Sequence, residues 1–230
     1  MARWFYIPDL PDVPAGETVE VALGRDQAHH ATRVHRLQAG DEIELFDGAG
    51  RIASGELVAD DRVAIASVRQ EPPVTPVVEI ASAVPKGSAL KGMIDQLSQA
   101  GAASWRPLRT ERSVVDPRPG KIERLEAVAL AAAGQCGRAH LMTIEPVTDF
   151  ADCLALDDGA EGLIACLSGG GPAADLPAGV KVRVLIGPEG GWTDDEREAA
   201  EAAGYQPIGL GPHVMRIETA AVAGALAVLR

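Results

Sequence analysis

The chain has 230 residues, a length that predicts one or two domains. Hydrophobic residues make up 47% of it and charged residues 23%, which is typical of globular proteins and excludes a disordered chain. Acidic residues outnumber basic residues by 33 to 21, and the net charge of −12 excludes a protein that coats nucleic acid with its whole surface. Any nucleic-acid site must therefore be a local basic patch.

The number of cysteines and the length of the apolar segments indicate the cellular compartment in which we expect the protein. The three cysteines, Cys136, Cys153 and Cys166, are widely spaced and argue against a disulfide framework, and no cluster of cysteines and histidines indicates a metal site. The N-terminus lacks the apolar run of a signal peptide, and no apolar stretch reaches the roughly 18 residues of a membrane span. We expect a cytoplasmic protein with no metal and no membrane partner.

A proline-rich segment predicts the boundary between two domains. Residues 71–76 contain three prolines in five positions and predict a stiff, extended linker. Before it, residues 1–70 contain a short helix within 26–37 and a polar–apolar alternation typical of strands, which together predict a small β-barrel. The predicted strands are 41–46, 51–58 and 62–68.

The sequence after the linker alternates between strands and helices. The predicted strands are 77–84, 105–108, 162–167, 180–186 and 207–210, and the predicted helices are 88–100, 122–133, 193–203 and 218–229. This alternation over residues 77–230 favours an α/β domain with a mostly parallel sheet and helices on both faces. Ligands of such open sheets bind at the carboxyl ends of the strands.

A glycine-rich loop follows the strand 180–186. Residues 187–191 read Gly-Pro-Glu-Gly-Gly, and glycines let the backbone approach a ligand closely. The next helix opens with Thr193 and Glu196 at the spacing of a capping box, with two aspartates between them. Because the cap and the acids occupy the amides that bind phosphate at a helix N-terminus, we expect a neutral or cationic ligand with hydroxyls and an adenine. A plain strand-to-helix turn is the alternative.

A second glycine–proline loop follows the strand 207–210. It begins with Gly211 and Pro212 and leads to Arg216 and Glu218, which we expect at the same edge of the sheet as the first loop. The alternative is that Arg216 and Glu218 form a surface ion pair of little energetic consequence.

The two loops together resemble one family of enzymes. Ile-Gly-Pro-Glu-Gly-Gly at 186–191 and Leu-Gly-Pro-x-x-x-Arg-x-Glu-Thr-Ala at 210–220 resemble the ribosomal RNA small subunit methyltransferase E family of the SPOUT superfamily. Further matches run in family order over nearly the whole chain: Leu-Phe-Asp-Gly at 45–48, Lys-Gly at 86–87, Glu-Arg-Ser-Val-Val at 111–115 and Gln-Cys-Gly-Arg at 135–138.

The resemblance implies both a fold and a reaction. The fold is α/β, with an N-terminal PUA-like β-barrel that binds RNA and a C-terminal SPOUT domain with a trefoil knot. The C-terminal domain is expected to form a homodimer. The reaction is methylation of uridine N3 in 16S rRNA within the small ribosomal subunit, with S-adenosylmethionine as the methyl donor.

The resemblance also implies contact residues for the donor and for RNA. The donor is expected to contact Leu167, Ser168, Gly187, Pro188, Glu189, Gly190, Gly191, Leu210, Gly211, Pro212, Val214, Met215, Thr219 and Ala220. RNA is expected to contact Arg33, Arg36, Lys86, Arg112 and Arg138, for each of which a solvated charge is the alternative.

Two further residues are candidates for catalysis. Uridine N3 must lose its proton before it attacks the methyl group. We assign to Arg216 either the stabilisation of the resulting anion or the binding of a phosphate, and to Glu218 either the orientation of Arg216 or the role of base.

Four positions depart from the family pattern. Gln99 and Gly134 stand where the family often has Glu, His213 where it usually has Arg, and Ile217 where it often has Thr. These departures affect the expected RNA contacts and local polar bonds more than the expected fold.

Other functions stay open beside the rRNA methyltransferase. One is a non-catalytic RNA-binding or ribosome-assembly protein of the same fold. Another is a SPOUT methyltransferase that acts on a different RNA target, at a ribose hydroxyl or a tRNA base. An enzyme of nucleotide phosphates is a more distant alternative.

Overall fold

The structure is a computed structural model that describes residues 3–115, 119–167, 171 and 179–229. The contacts divide the chain into two compact units. The first unit comprises Met1–Pro73 and Leu130–Leu141, and the second comprises Val74–Ala129 and Met142–Arg230. The boundary thus falls inside the predicted linker, but residues 130–141 join the first unit, whereas the sequence assigned all of 77–230 to the second domain.

The first unit contains a five-stranded sheet. Its strands are β1 (Trp4–Tyr6), β2 (Val19–Ala22), β3 (Glu42–Phe46), β4 (Arg51–Ala59) and β5 (Arg62–Gln70). They lie in the order β1-β3-β4-β5-β2, with β1 parallel to β3 and the other neighbours antiparallel. Alternate residues of β3, Ile43 and Leu45, are buried in a core with Phe5 and Ile65. The three strands predicted in this region are confirmed, whereas β1 and β2 are additional.

The helical segment of the first unit is less regular than the sequence predicted. It consists of α1 (Arg25–His29) and a π-helical turn (His30–Val34), after which Arg36 has a φ of 56°. A positive φ is uncommon for a residue with a Cβ and ends helical geometry. The short helix predicted within 26–37 is therefore confirmed as a helical segment over 25–34, of which the second half is π-helical.

Close backbone approach explains why residues 130–141 belong to the first unit. The Leu141 amide donates to the Gly48 carbonyl over 2.9 Å, and the Gly50 amide donates to the Ala139 carbonyl over 3.2 Å. A Cβ built on Gly134 would lie 3.4 Å from the carbonyl oxygen of Trp4. Glycine at this position, where the family often has Glu, thus permits a close approach to β1.

The second unit is built on a parallel sheet, as predicted. Its strands are β6 (Val77–Ala83), β7 (Ser104–Arg109), β8 (Thr143–Ile144), β9 (Thr148–Asp149), β10 (Glu161–Ala165), β11 (Lys181–Ile186) and β12 (Gln206–Ile208). The order is β12-β10-β11-β6-β7-β8, with β9 beside β7, and all of the described pairs are parallel. The short strands β8 and β9 were not predicted.

The described part of the chain contains five further helices. They are α2 (Ala89–Ala100), α3 (Pro119–Cys136), α4 (Phe150–Leu154), α5 (Asp194–Ala202) and α6 (Ile217–Val228), of which α4 was not predicted. Leu90, Met93, Ile94 and Leu97 of α2 are buried at the predicted helical spacing. In the described part of the chain, no helix is long and apolar enough to cross a membrane.

A network of charged side chains crosses the parallel sheet of the second unit. Glu79 on β6 and Arg183 on β11 are each 1% exposed, and the Arg183 Nε lies 2.5 Å from the Glu79 Oε1. The Arg106 Nε, on β7, contacts the same carboxylate over 3.0 Å. Burial is the largest influence on Glu79 and raises its pKa, but hydrogen bonds from Arg106 and Arg183 outweigh it and hold the pKa below its ordinary value.

Candidate functional site

A cavity of about 440 Å³ lies in the second unit at the carboxyl ends of β10 and β11. Its wall contains residues that follow β10, the glycine-rich loop 187–191 after β11, and the loop that leads from β12 to α6. The volume lies within the range of sites for small molecules and cofactors. The two loops that the sequence singled out therefore do meet at one edge of the sheet.

The glycine-rich loop is a tight turn that ends in a capped helix. The Gly191 amide donates to the Pro188 carbonyl over 2.8 Å, and Gly191 has a φ of 70°. The Thr193 hydroxyl accepts from the Glu196 amide, and the Glu196 carboxylate accepts from the Thr193 amide over 2.9 Å. The predicted capping box is confirmed, so these helix-terminal amides are engaged within the chain.

Trp192 forms part of the cavity wall and was not predicted as a site residue. Its indole Nε1 donates to the Ala165 carbonyl over 3.0 Å, which ties the loop to the end of β10. A Cβ built on Gly187 would lie 3.0 Å from the indole ring, so the glycine leaves room for this packing. The ring centroid of Phe150 on α4 lies 5.2 Å from that of Trp192.

Arg112, predicted as an RNA contact, lies against the glycine-rich loop. Its Nη1 donates to the Gly190 carbonyl over 2.8 Å and to the Trp192 carbonyl over 3.2 Å. The neighbouring Glu111 amide donates to the Glu196 Oε1 over 2.9 Å. The turn after β7 is therefore joined both to the loop and to the start of α5.

The two candidate catalytic residues lie at the start of α6. Arg216 is the exposed N-cap residue of α6, and its side chain makes no capping hydrogen bond. Glu218 is half-buried in the first turn of the same helix. Neither residue is part of the described cavity wall, although Met215 and Ile217 on either side of Arg216 are.

Most of the residues predicted to contact the donor lie on this wall. They are Leu167, Gly187, Pro188, Glu189, Gly190, Gly191, Leu210, Gly211, Val214, Met215 and Ala220. Pro212 and Thr219 do not lie on it, and Ser168 lies outside the described residues. The wall also contains Ala165, Cys166, Ile186, Trp192, Arg197, His213 and Ile217, which the prediction omitted. Ile186, Trp192, His213 and Ile217 adjoin the two loops in sequence, and Ala165 and Cys166 adjoin the predicted Leu167, whereas Arg197 lies one helical turn into α5 and had no such signal.

The polar side chains of the cavity are of mixed charge. Arg197 pairs with Asp194 over 2.5 Å and is 48% exposed, and His213 and Glu189 are also exposed. Burial raises the pKa of the Cys166 thiol. Among the described residues, no group of three or more His, Cys, Asp or Glu side chains is placed to hold a metal ion.

The other predicted RNA contacts are distributed over both units. Arg33 on the π-helical turn and Arg36 beyond it are exposed in the first unit, and Lys86 is exposed after β6 in the second. Arg138, in the first unit, is half-buried, and burial lowers its pKa. The structure brings Arg112 to the cavity loops but does not describe one surface that joins all five residues.

The structure shows the contacts and burial of the other three residues that depart from the family pattern. Gln99 donates to Asp95 over 2.9 Å on the exposed side of α2. Ile217 is 3% exposed and packs in the apolar core at the start of α6, where Thr would bring a hydroxyl. His213 is exposed on the second loop and lines the cavity.

Two family models match separate parts of the chain, and several known proteins resemble it over most of its length. A family model described as an RNA methyltransferase domain matches residues 71–230, and one described as an RNA methyltransferase PUA domain matches residues 23–65. The chain is 32% identical to the ribosomal RNA small subunit methyltransferase E of Synechocystis over 87% of its length and 69% of the relative's. It is 30% identical to the Mycobacterium tuberculosis protein of that name, over 100% of its length and 92% of the relative's.

The solved structures include one with a bound ligand. A Legionella pneumophila protein described as a methyltransferase, in complex with the cofactor SAM, superposes with a TM-score of 0.83. Its identity to this chain is 27%, and the match covers 100% of this chain and 97% of that one.

Proposed function

Because the chain belongs to the ribosomal RNA small subunit methyltransferase E family, we propose that it methylates N3 of a uridine in 16S rRNA with S-adenosylmethionine as the donor. The chain is an RNA methyltransferase with a PUA-like first unit and a parallel α/β second unit. The target atom, the assembled small subunit as substrate and the homodimer are parts of the proposal. The cytoplasmic location that a ribosomal substrate favours is also part of the proposal.

The cavity between the two loops carries the proposal. When bound, S-adenosylmethionine supplies a methyl group on a positively charged sulfonium, and the molecule has an adenine and ribose hydroxyls but no phosphate. The described wall suits such a ligand, since it combines glycine backbone with apolar side chains such as Leu167, Val214 and Met215. The capping box beside it already engages the amides of Thr193 and Glu196, and the acidic first turn of α5 disfavours a phosphate there.

The chain's own residues must position the uridine and stabilise its anion. Arg216 is exposed at the N-terminus of α6, directly after a wall residue, and its side chain forms no hydrogen bond or ion pair with any described residue. Its guanidinium is therefore available to the negative charge that develops on the uridine, or to a phosphate of the RNA. Glu218, two residues further on, orients Arg216 or accepts the N3 proton. Positioning by the RNA-bound enzyme supplies a further part of the rate.

Exposed basic residues and an apolar helix support the proposed partners. Arg33, Arg36 and Lys86 are exposed and provide charge for phosphate contacts. The helix α6 has one charged residue, Glu218, and its Leu226 is 51% exposed, which favours a second copy packing on this helix. The trefoil knot stays a prediction of the family resemblance.

Methyl transfer to small ribosomal subunits tests the proposal. Labelled S-adenosylmethionine is incubated with subunits that lack the modification and, in parallel, with naked 16S rRNA, and the product nucleoside is identified by mass spectrometry. We expect 3-methyluridine from subunits. Another methylated nucleoside would indicate a different target, and donor binding without transfer to either substrate would indicate a non-catalytic RNA-binding protein.

A further inference from the structure

We propose that Arg112 is a positioning residue of the donor cavity, which holds the glycine-rich loop in its binding shape from outside the wall. This inference rests on the proposed function, since it takes the cavity to be the donor site. It differs from the RNA contact that the family resemblance implied for Arg112. Arg112 itself is not part of the described cavity wall.

The contacts of Arg112 restrain the loop at its most adaptable point. One guanidinium nitrogen, Nη1, binds the carbonyls of Gly190 and Trp192, which flank Gly191. Gly191 has a φ of 70°, and no heavy atom of a described residue lies within 4 Å of the position that a Cβ would take, so the described neighbours restrain it little by steric contact. Fixing the carbonyls on both sides limits the backbone rotations available at this glycine.

The stem of Arg112 adds packing to these hydrogen bonds. A Cβ built on Gly190 would lie 3.2 Å from the Arg112 Cδ and 3.3 Å from its Cβ. The methylene groups of Arg112 thus pack against Gly190 where any other residue would have its Cβ. A long side chain with an apolar stem and a cationic head suits both parts of this contact.

The turn that presents Arg112 is itself anchored. The Thr110 amide donates to the Ser113 hydroxyl over 3.0 Å, and the Ser113 amide donates to the Thr110 carbonyl over 3.1 Å. The two oxygens of the buried Glu196 accept from the Glu111 amide and the Thr193 amide, each over 2.9 Å. Arg112 therefore acts from a turn fixed to the first residues of α5, while the loop lies between them.

Donor binding without RNA separates this role from an RNA contact. Arg112→Met keeps most of the apolar stem but removes the hydrogen-bonding head. We expect it to raise the Kd for S-adenosylmethionine by about tenfold in calorimetry on the full-length chain, the effect of losing a charged hydrogen bond. The matched control is Lys91→Met on α2, which removes one exposed positive charge from the same unit and leaves the Kd unchanged.

Steady-state kinetics and hydrogen exchange complete the test. For Arg112→Met we expect a higher KM for the donor, with the KM for the small subunit and the kcat at saturating donor unchanged. We also expect faster amide exchange at residues 189–192 in the ligand-free chain. Arg112→Lys keeps a positively charged hydrogen-bonding group of different shape. It should therefore restore part of the affinity for S-adenosylmethionine that Arg112→Met loses.

The outcomes distinguish the inference from the proposed function. If the wild-type chain binds the donor and Arg112→Met binds it equally well, with unchanged exchange, the positioning role is rejected and the donor site stands. If only the KM for the small subunit rises, Arg112 is an RNA contact. If the wild-type chain does not bind S-adenosylmethionine, the proposed function fails, and the inference fails with it.

Discussion

Arg216 lies beside the cavity, and its guanidinium has no hydrogen-bond or ion-pair partner in the described part of the chain. Arg216→Ala is expected to reduce turnover about 100-fold or more, the cost of removing a group that stabilises a developing anion. The Kd for S-adenosylmethionine should change little, because Arg216 is not part of the described wall. Single-turnover methyl transfer and calorimetry measure the two quantities. Unchanged turnover would remove Arg216 from the mechanism.

The role of Arg197 in binding S-adenosylmethionine depends on which part of that ligand its guanidinium contacts. It is the one arginine on the described wall, and S-adenosylmethionine carries a carboxylate on its amino-acid tail. We expect Arg197→Ala to weaken binding of S-adenosylmethionine about threefold to tenfold, since the guanidinium is half exposed. Binding of 5′-methylthioadenosine, which lacks the tail, should not change.

A matched variant controls for the partner of Arg197. Asp194→Asn removes the ion pair that Arg197 makes in the ligand-free chain and leaves the guanidinium in place. It should bind S-adenosylmethionine at least as well as the wild type. Equal losses for both ligands in Arg197→Ala would show that the residue supports the wall and does not read the carboxylate.

At the scale of elements, the buried carboxylate of Glu79 joins β6 to both of its neighbours. Arg183 lies beside it in the ladder with β11, and Arg106 reaches it from β7. Glu79→Gln removes the buried carboxylate that Arg183 and Arg106 share and leaves Arg183 only its contact with the partly exposed Asp158, and we expect it to lower the free energy of unfolding by about 3 kcal/mol. Urea denaturation measures the change.

The control for Glu79 is a more exposed carboxylate that also contacts Arg106. Glu145 contacts the Arg106 Nη2 over 3.3 Å, and its side chain is 27% exposed. Glu145→Gln should cost about 1 kcal/mol or less, as is typical of solvated pairs. Similar losses in the two variants would mean that burial does not decide the strength of this network.

The long elements of the second unit were predictable because their patterns are local. The strands β6 and β11 are apolar runs, and α2 shows buried residues at helical spacing. The strands β8 and β9 have two residues each, too few to show a periodic pattern, and π-helical turns are rare, so the helical pattern of 26–37 predicted an ordinary helix. Parallel topology likewise made the shared edge of the two glycine loops predictable.

Contacts between distant segments were beyond sequence reasoning. Arg112 and Gly190 are 78 residues apart, and nothing in either segment indicates their hydrogen bond. The same holds for residues 130–141, whose place in the first unit depends on backbone contacts with residues 48 and 50. The family resemblance predicted Arg112 as an RNA contact, and its hydrogen bond to the glycine-rich loop is a separate feature that only the structure shows.

Over the whole molecule, the charge network predicts how the protein responds to acid. Burial is the largest influence on Asp158 and raises its pKa, but hydrogen bonds from Lys181 and Arg183 outweigh it and lower the pKa to about 2. The unfolded chain has an ordinary aspartate pKa of about 3.9. A lowered folded pKa stabilises the native state above the unfolded value, and this stabilisation is lost as the pH falls from about 4 toward 2.

Asp158→Asn isolates this contribution from the other carboxylates. The wild type should lose thermal stability steeply between pH 4 and pH 2, and the Asn variant should show a shallower fall from a lower starting Tm, because its amide does not titrate. Glu79, whose pKa is also lowered, contributes to the fall that both proteins share. Differential scanning calorimetry across this range measures both slopes. If the Tm of the two proteins fell in parallel with pH, the contacts of Asp158 with Lys181 and Arg183 would not contribute to the acid response, which would then arise elsewhere in the chain.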